Sequence, residues 1–172
     1  MARIPYANPD DAATRALVEQ IRRERGGKVL NLYKMLLQSP PVAEGWLNLF
    51  TAIRQHAILP GRYRELAILR VAVINGADYE FAQHIPFALN DGFTTEEIAA
   101  LRGGTTPPTL DAKDRAVLDY AAAMTRDIRV TDEIFARIRD AFSEREVVEL
   151  TATIAGYNLV SRFLEALQID HE

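Results

Sequence analysis

Glu80 and His84 stand four residues apart within the stretch "YEFAQH". On a helix that spacing puts both side chains on one face, within hydrogen-bond reach. A carboxylate beside an imidazole raises the imidazole pKa and fixes its tautomer. Such a pair can hand a proton to a bound enolate or take one from a carbon acid. The pair follows a break at Asn75-Gly76 and falls in the first two turns after Asp78, where unpaired backbone N–H groups and the helix dipole favour an anion. Glu65 lies upstream in an otherwise apolar run, Leu66, Ala67, Ile68 and Leu69, where an unpartnered carboxylate is costly. Arg62, Arg64 or Arg70 could pair with it, or it could point to the same site as His84. The plainer reading is that Glu80–His84 is an ordinary surface salt bridge, and from spacing alone it is the stronger one.

The elements that must position these residues are helical almost throughout. Asn8-Pro9-Asp10 opens a segment whose face is Leu17 and Ile21, and Gly26-Gly27 ends it. "KVLNLYKMLLQSP" places Leu30, Tyr33, Leu36 and Leu37 on one side. Ser39-Pro40-Pro41 then opens "VAEGWLNLFTAIRQHA", where Trp46, Leu49, Phe50 and Ile53 share a face. After the hinge Leu59-Pro60-Gly61, a helix from Arg62 runs through Glu65 and Leu69 to Asn75-Gly76. Asp78 is placed to cap the next helix, Tyr79 to Leu89, which Pro86 either kinks or shortens. "TTEEIAALRGG" reads as a compact helix, residues 111 to 127 and 131 to 141 as two amphipathic ones, and "EREVVELTATIAGYNLVSRFLEAL" as a longer apolar one. The only β-rich run, "LRVAVING", continues a helical face. The expected fold is all-α in a single domain over 1–172, with a core motif at 60–90 and a linker near 103–110, where "TTPPTL" stands.

Composition narrows the function classes. At 172 residues the chain suits one good core. A net charge of −4 and no basic stripe argue against a nucleic-acid coat. Cysteine is absent, so disulfides, cysteine-ligated metals and thiol catalysis are excluded. Three scattered histidines predict no metal site; His56 reads as a capping or surface residue, and His171 falls in a tail expected to be disordered. Charges interrupt every apolar stretch, and the N-terminus lacks a signal pattern, so a cytoplasmic location without membrane partner is expected.

The 64–84 stretch resembles the carboxymuconolactone decarboxylase-like proteins, relatives of alkylhydroperoxidase D. That family carries a Glu on one helix, a Cys-x-x-Cys opening the next, and a His four residues after the second Cys. Glu65 matches the first position and His84 the last, while Ala77 and Glu80 stand where the cysteines would be. "LNLYKMLLQSPPVAEGWLNLFTAI", "LPGRYRELAILRVA" and the closing "EREVVELTATIAGYNLVSRFLEAL" resemble the decarboxylase-like branch, so the likeness spans most of residues 30 to 168.

The resemblance implies an all-helical oligomer, a homotrimer or homohexamer with sites at or near subunit contacts. Peroxidase chemistry of the thiol type needs an attacking and a resolving thiol, and this chain has neither. What remains is a cofactor-free decarboxylase or isomerase acting on a small carboxylated lactone or related carbon acid. His84 would be the general acid/base, Glu80 would orient and tune it, and Glu65 would be a relay partner. Tyr79 and Trp46 would line the substrate pocket with Phe81 and Phe87, and Arg70, Arg62 or Arg64 would hold a substrate carboxylate. The rival expectation is a non-catalytic oligomer or ligand-binding protein that keeps the fold without the thiols. A flavin or haem in their place has no fingerprint in the sequence, so no cofactor is expected.

Overall fold

A computed structural model describes residues 1–172. The elements are α1 (Arg15–Glu24), α2 (Asn31–Leu36), α3 (Pro40–Thr51), α4 (Gly61–Asn75), α5 (Asp78–Asn90), α6 (Thr95–Arg102), α7 (Ala112–Arg126), α8 (Asp132–Ala141) and α9 (Glu144–Leu167), with no strand. The all-α expectation holds. The chain divides into two compact units, one of residues 1–56 with 164–172, the other of residues 57–163.

The larger unit is built around α4. Seven of its residues are buried, Glu65 to Leu69 with Val71 and Ala72, so the helix is enclosed on nearly all sides. It packs against α7, α5 and α6. The Arg62 guanidinium reaches Asp114 of α7 through two parallel bonds of 3.0 and 2.7 Å, a planar fork on a buried carboxylate. The β-branched run after Leu69 stays helical because its side chains are needed for this packing, which overrides their weak strand preference.

Helix starts in this unit are written in the sequence. Thr94 with Glu97 and Asp111 with Asp114 form capping boxes at α6 and α7, and Ser143 exchanges bonds with Glu146 at the start of α9. The 103–110 stretch is a connection inside the unit: Thr109 donates to Glu97 at 2.5 Å, and Arg115 donates to the carbonyls of Pro107, Pro108 and Leu110. A buried polar hub lies on α9, where Asn158 donates to Thr125 and to the Ile154 carbonyl. Its side-chain carbonyl accepts from Asn75 and Arg162.

The α4–α5 junction is decisive for the site. Gly76 adopts φ 65°, the left-handed conformation that costs a residue with a Cβ about 1 kcal/mol or more. Its N–H donates to Val73 and that of Ala77 to Ala72, the paired bonds of a Schellman closure. Ala77, not Asp78, then takes the cap position of α5, and Asp78 becomes its first helical residue. The reason is geometric: the Schellman closure spends Gly76 and Ala77, and the Ala77 carbonyl already accepts from Phe81. Helix α5 passes through Pro86 to Asn90.

In the smaller unit, Pro40 and Pro41 open α3 at positions where their missing N–H groups cost nothing. The expected continuous helix to residue 56 is α-helical only to Thr51 and finishes as a π-helical turn, Ala52–His56. His56 is exposed in that turn. Arg25 ties the unit's turns together through the Tyr33 hydroxyl at 2.7 Å and Thr51 at 3.0 Å. The C-terminal tail is not loose. Asp170 accepts from the Ala2 N–H and the Tyr6 hydroxyl, and Asn31 donates to Glu172 and to the His171 carbonyl.

Candidate active site

His84 is held between two carboxylates. Its Nδ1 lies 2.6 Å from Glu65 Oε2 and its Nε2 lies 2.9 Å from Glu80 Oε1. All three side chains are buried, at 1% exposure for Glu65, 3% for His84 and 5% for Glu80. Helix α4 supplies Glu65 and α5 supplies the other two, so the Gly76 joint sets the angle at which they meet. Because each ring nitrogen faces a carboxylate, the arrangement is satisfied by the imidazolium, which has two N–H donors and no acceptor.

The electrostatics agree. Burial pushes His84 toward its neutral form, but the charge and hydrogen bond of Glu65, with the Glu80 contact added, override it and raise its pKa to about 9. Burial likewise pushes the Glu65 carboxyl up, and the His84 charge, the bond to it and Arg64 together hold it below the usual carboxylate range. The order along the chain is therefore Glu65, His84, Glu80, with the imidazolium in the middle rather than at the end.

A further layer holds Glu65 from behind. Arg64 Nε donates to Glu65 Oε1 at 3.1 Å, and its terminal nitrogen lies 3.6 Å from Asp91 Oδ2. Asp91 in turn occupies the space a side chain would need at Gly61, where a Cβ would overlap its carboxylate. Burial raises the Asp91 carboxyl, and the nearby Arg64 charge opposes that rise.

Of the arginines considered for Glu65, the structure selects Arg64. Arg62 is committed to Asp114 and covers the Phe93 ring at 4.4 Å. Arg70 lies toward α7, where Arg126 and Asp119 are its charged neighbours, and its Nε is buried without a hydrogen-bond partner. Tyr79 and Phe81 are buried on the first turn of α5, and Phe87 is 44% exposed with its ring 5.6 Å from that of His84. Trp46 belongs to the smaller unit, where its ring lies 5.0 Å from Phe50. Two residues that sequence reasoning did not assign to the site are Asp91 and Tyr157. The Tyr157 ring meets His84 at 5.0 Å, the two planes 88° apart. Nothing local marks either: Tyr157 arrives from α9, and Asp91 reads only as a turn residue.

The sequence model of the carboxymuconolactone decarboxylase family matches residues 40–123, a span that holds Glu65, Glu80 and His84. The solved AhpD-core, peroxidase-related protein of Ralstonia eutropha JMP134 superposes with a TM-score of 0.85 at 16% identity, over 99% of this chain and 92% of that one. Residues 40–123 are thus a carboxymuconolactone decarboxylase family match, and the fold around them is the AhpD-core fold. A further family-fold structure, the debrominase Bmp8 in complex with 2,3,4-tribromopyrrole, has a TM-score of 0.83 at 19% identity, covering 100% of this chain and 94% of that one. At the sequence level the chain is 27% identical over 106 residues to the uncharacterised protein YdfG of Bacillus subtilis (strain 168), 60% of this chain and 72% of that one. The structural likenesses, all this remote in sequence, establish the fold alone and leave the reaction to be argued from this chain's own side chains.

Proposed function

We propose that this protein is a cofactor-free acid/base enzyme, a decarboxylase or isomerase of a small carbon acid such as a lactone. The observation that carries the reading is the buried His84 imidazolium with a carboxylate at each nitrogen, 2.6 and 2.9 Å away. A protonated histidine buried among apolar helices is costly unless its charge is used or balanced, and a Glu at the end of such a chain is a proton acceptor in register with it. Glu80 is that end: its Oε1 faces His84, and in this reading its carboxylate is the group that takes the substrate proton. Glu65, fixed by Arg64, keeps the imidazole oriented and charged. The enolate or dienolate that forms on loss of a proton or of CO2 then lies beside a cation.

Two further supports are indirect. The family whose model matches residues 40–123 takes its name from such a decarboxylation, and a protein of the same fold, the debrominase Bmp8, holds a small ring compound. Assembly as a homotrimer or homohexamer is part of the proposal, read by light scattering.

The test is turnover of small lactones by wild type, His84→Ala and Glu80→Gln. Loss of an acid/base group lowers the rate by ~100-fold or more. Both variants are expected to show that loss while Glu80→Gln keeps the wild-type melting profile. If instead turnover is unchanged and only melting or sedimentation moves, the Glu65–His84–Glu80 chain is a structural lock and the protein a non-catalytic member of its fold.

A further inference from the structure

We propose that the substrate of this site arrives without a formal negative charge at the reacting end: a neutral carbon acid, not a carboxylate. The inference rests on the acid/base reading above and narrows it to a substrate class, against the carboxylated lactone that the family likeness implies.

The argument is one of charge and commitment. Three carboxylates, Glu65, Glu80 and Asp91, face two cations, Arg64 and His84, so the cluster already carries one net negative charge. Both His84 nitrogens point at carboxylates. Arg64 is divided between Glu65 and Asp91. Arg62 has both arms on Asp114, and Arg70 lies on the α7 side of α4. Arg102 stacks over Phe81 at 5.0 Å and lies 3.9 Å from Asp78, so its charge is also engaged by side chains of α5. A substrate carboxylate would therefore add a like charge to a buried, negative cluster whose cations are taken. The neighbouring side chains point the same way: the rings of Tyr157 and Phe87 stand 5.0 and 5.6 Å from the imidazole, apolar surroundings that penalise a further charge.

A neutral substrate also lets the site keep its charge constant through the reaction. In a β,γ-unsaturated lactone the α-carbon C–H bond breaks and its proton bonds to a Glu80 oxygen. The electron pair passes into the carbonyl to give a dienolate, so the negative charge leaves Glu80 as it appears on the substrate oxygen. The proton then returns to the γ-carbon, Glu80 is again a carboxylate, and the product is the α,β-unsaturated isomer. No co-reactant is consumed, and the charge of the cluster with its ligand is the same at each stage.

The deciding experiment uses a matched pair, a β,γ-unsaturated butenolide bearing a carboxylate and its methyl ester, with isomerisation and deuterium incorporation followed by NMR in D2O. The ester is expected to react at least about tenfold faster at equal sub-saturating concentration, the scale of one extra like charge at a partly solvated separation. Asp91→Asn, which removes a negative charge and releases Arg64, is expected to narrow that ratio several-fold, as a preference set by shape would not. A carboxylate that outpaces its ester, or a ratio unmoved by Asp91→Asn, overturns the charge inference while leaving the acid/base reading intact. No exchange with either compound, with the His84 ring resonances also unmoved, overturns both.

Discussion

Deprotonating His84 offers a quantitative test of the buried chain. Its pKa stands at about 9 in the folded protein against an ordinary value of 6.5. At 1.36 kcal/mol per unit, the folded state is stabilised by about 3 kcal/mol, as an order of magnitude, while the imidazole is protonated. The sign follows from a raised pKa: the contribution is fully present below about 6.5 and is lost as pH rises through about 9. Against a domain stability of roughly 5–15 kcal/mol this is a large share. With a urea slope of about 2 kcal/mol/M, the unfolding midpoint should fall by about 1–2 M between pH 6.5 and 10. Other groups titrate near pH 10, so the measurement is the wild-type curve minus that of His84→Gln, which isolates the one ring. NMR of the ring should show it charged at pH 7, and Glu65→Gln should bring its titration back toward neutrality. A wild-type ring that titrates near 6.5, or wild-type and His84→Gln midpoints that decline in parallel, would refute the charged-centre account.

Two other outcomes test the layers around that centre. Gly61→Ala would ordinarily favour a helix by about 1 kcal/mol, but here the new methyl must push the Asp91 carboxylate off Arg64, so a net loss of up to about 1 kcal/mol is expected by thermal melting. In an Asp91→Ala background the same change should be harmless, and an equal loss there would sink the explanation. Asn158→Ala strips a hydrogen-bonded partner from Thr125, Asn75 and Arg162 at once and should cost about 2–3 kcal/mol in urea unfolding. A change under half that size would mean water replaces the hub.

How far the molecule was legible in its sequence depends on the range of the interaction. Short-range signals carried through: Gly76 ends α4, the capping residues open α6 and α7, and the spacing of Glu80 and His84 sets them on one face. Errors of one residue arose where two local signals compete, as when the Schellman closure takes Ala77 and displaces Asp78 from the cap. The π-helical finish of α3 has no mark in the periodicity of "FTAIRQHA". Whether Glu65 meets His84 was open, because it depends on how α4 and α5 cross, and the choice among Arg62, Arg64 and Arg70 depended on where Asp114 and Asp91 lie. Tyr157 reaches the imidazole from more than seventy positions along the chain (|i−j| about 73), a distance no pattern spans.

The left-handed Gly76 has a consequence for how this chain can vary. It works as an indexing joint: the count of residues between Glu65 and His84 fixes the rotational phase at which α5 leaves α4. One residue inserted in the first turn of α5, ahead of Glu80, would turn the rest of that helix by about 100° and carry Glu80 and His84 off the face that meets Glu65. Length is thus frozen between positions 65 and 84, whereas the 103–110 connection is held by its own hydrogen bonds and sets no such phase for the three side chains. In this chain the chemistry is stored as a residue count as much as in the residues themselves.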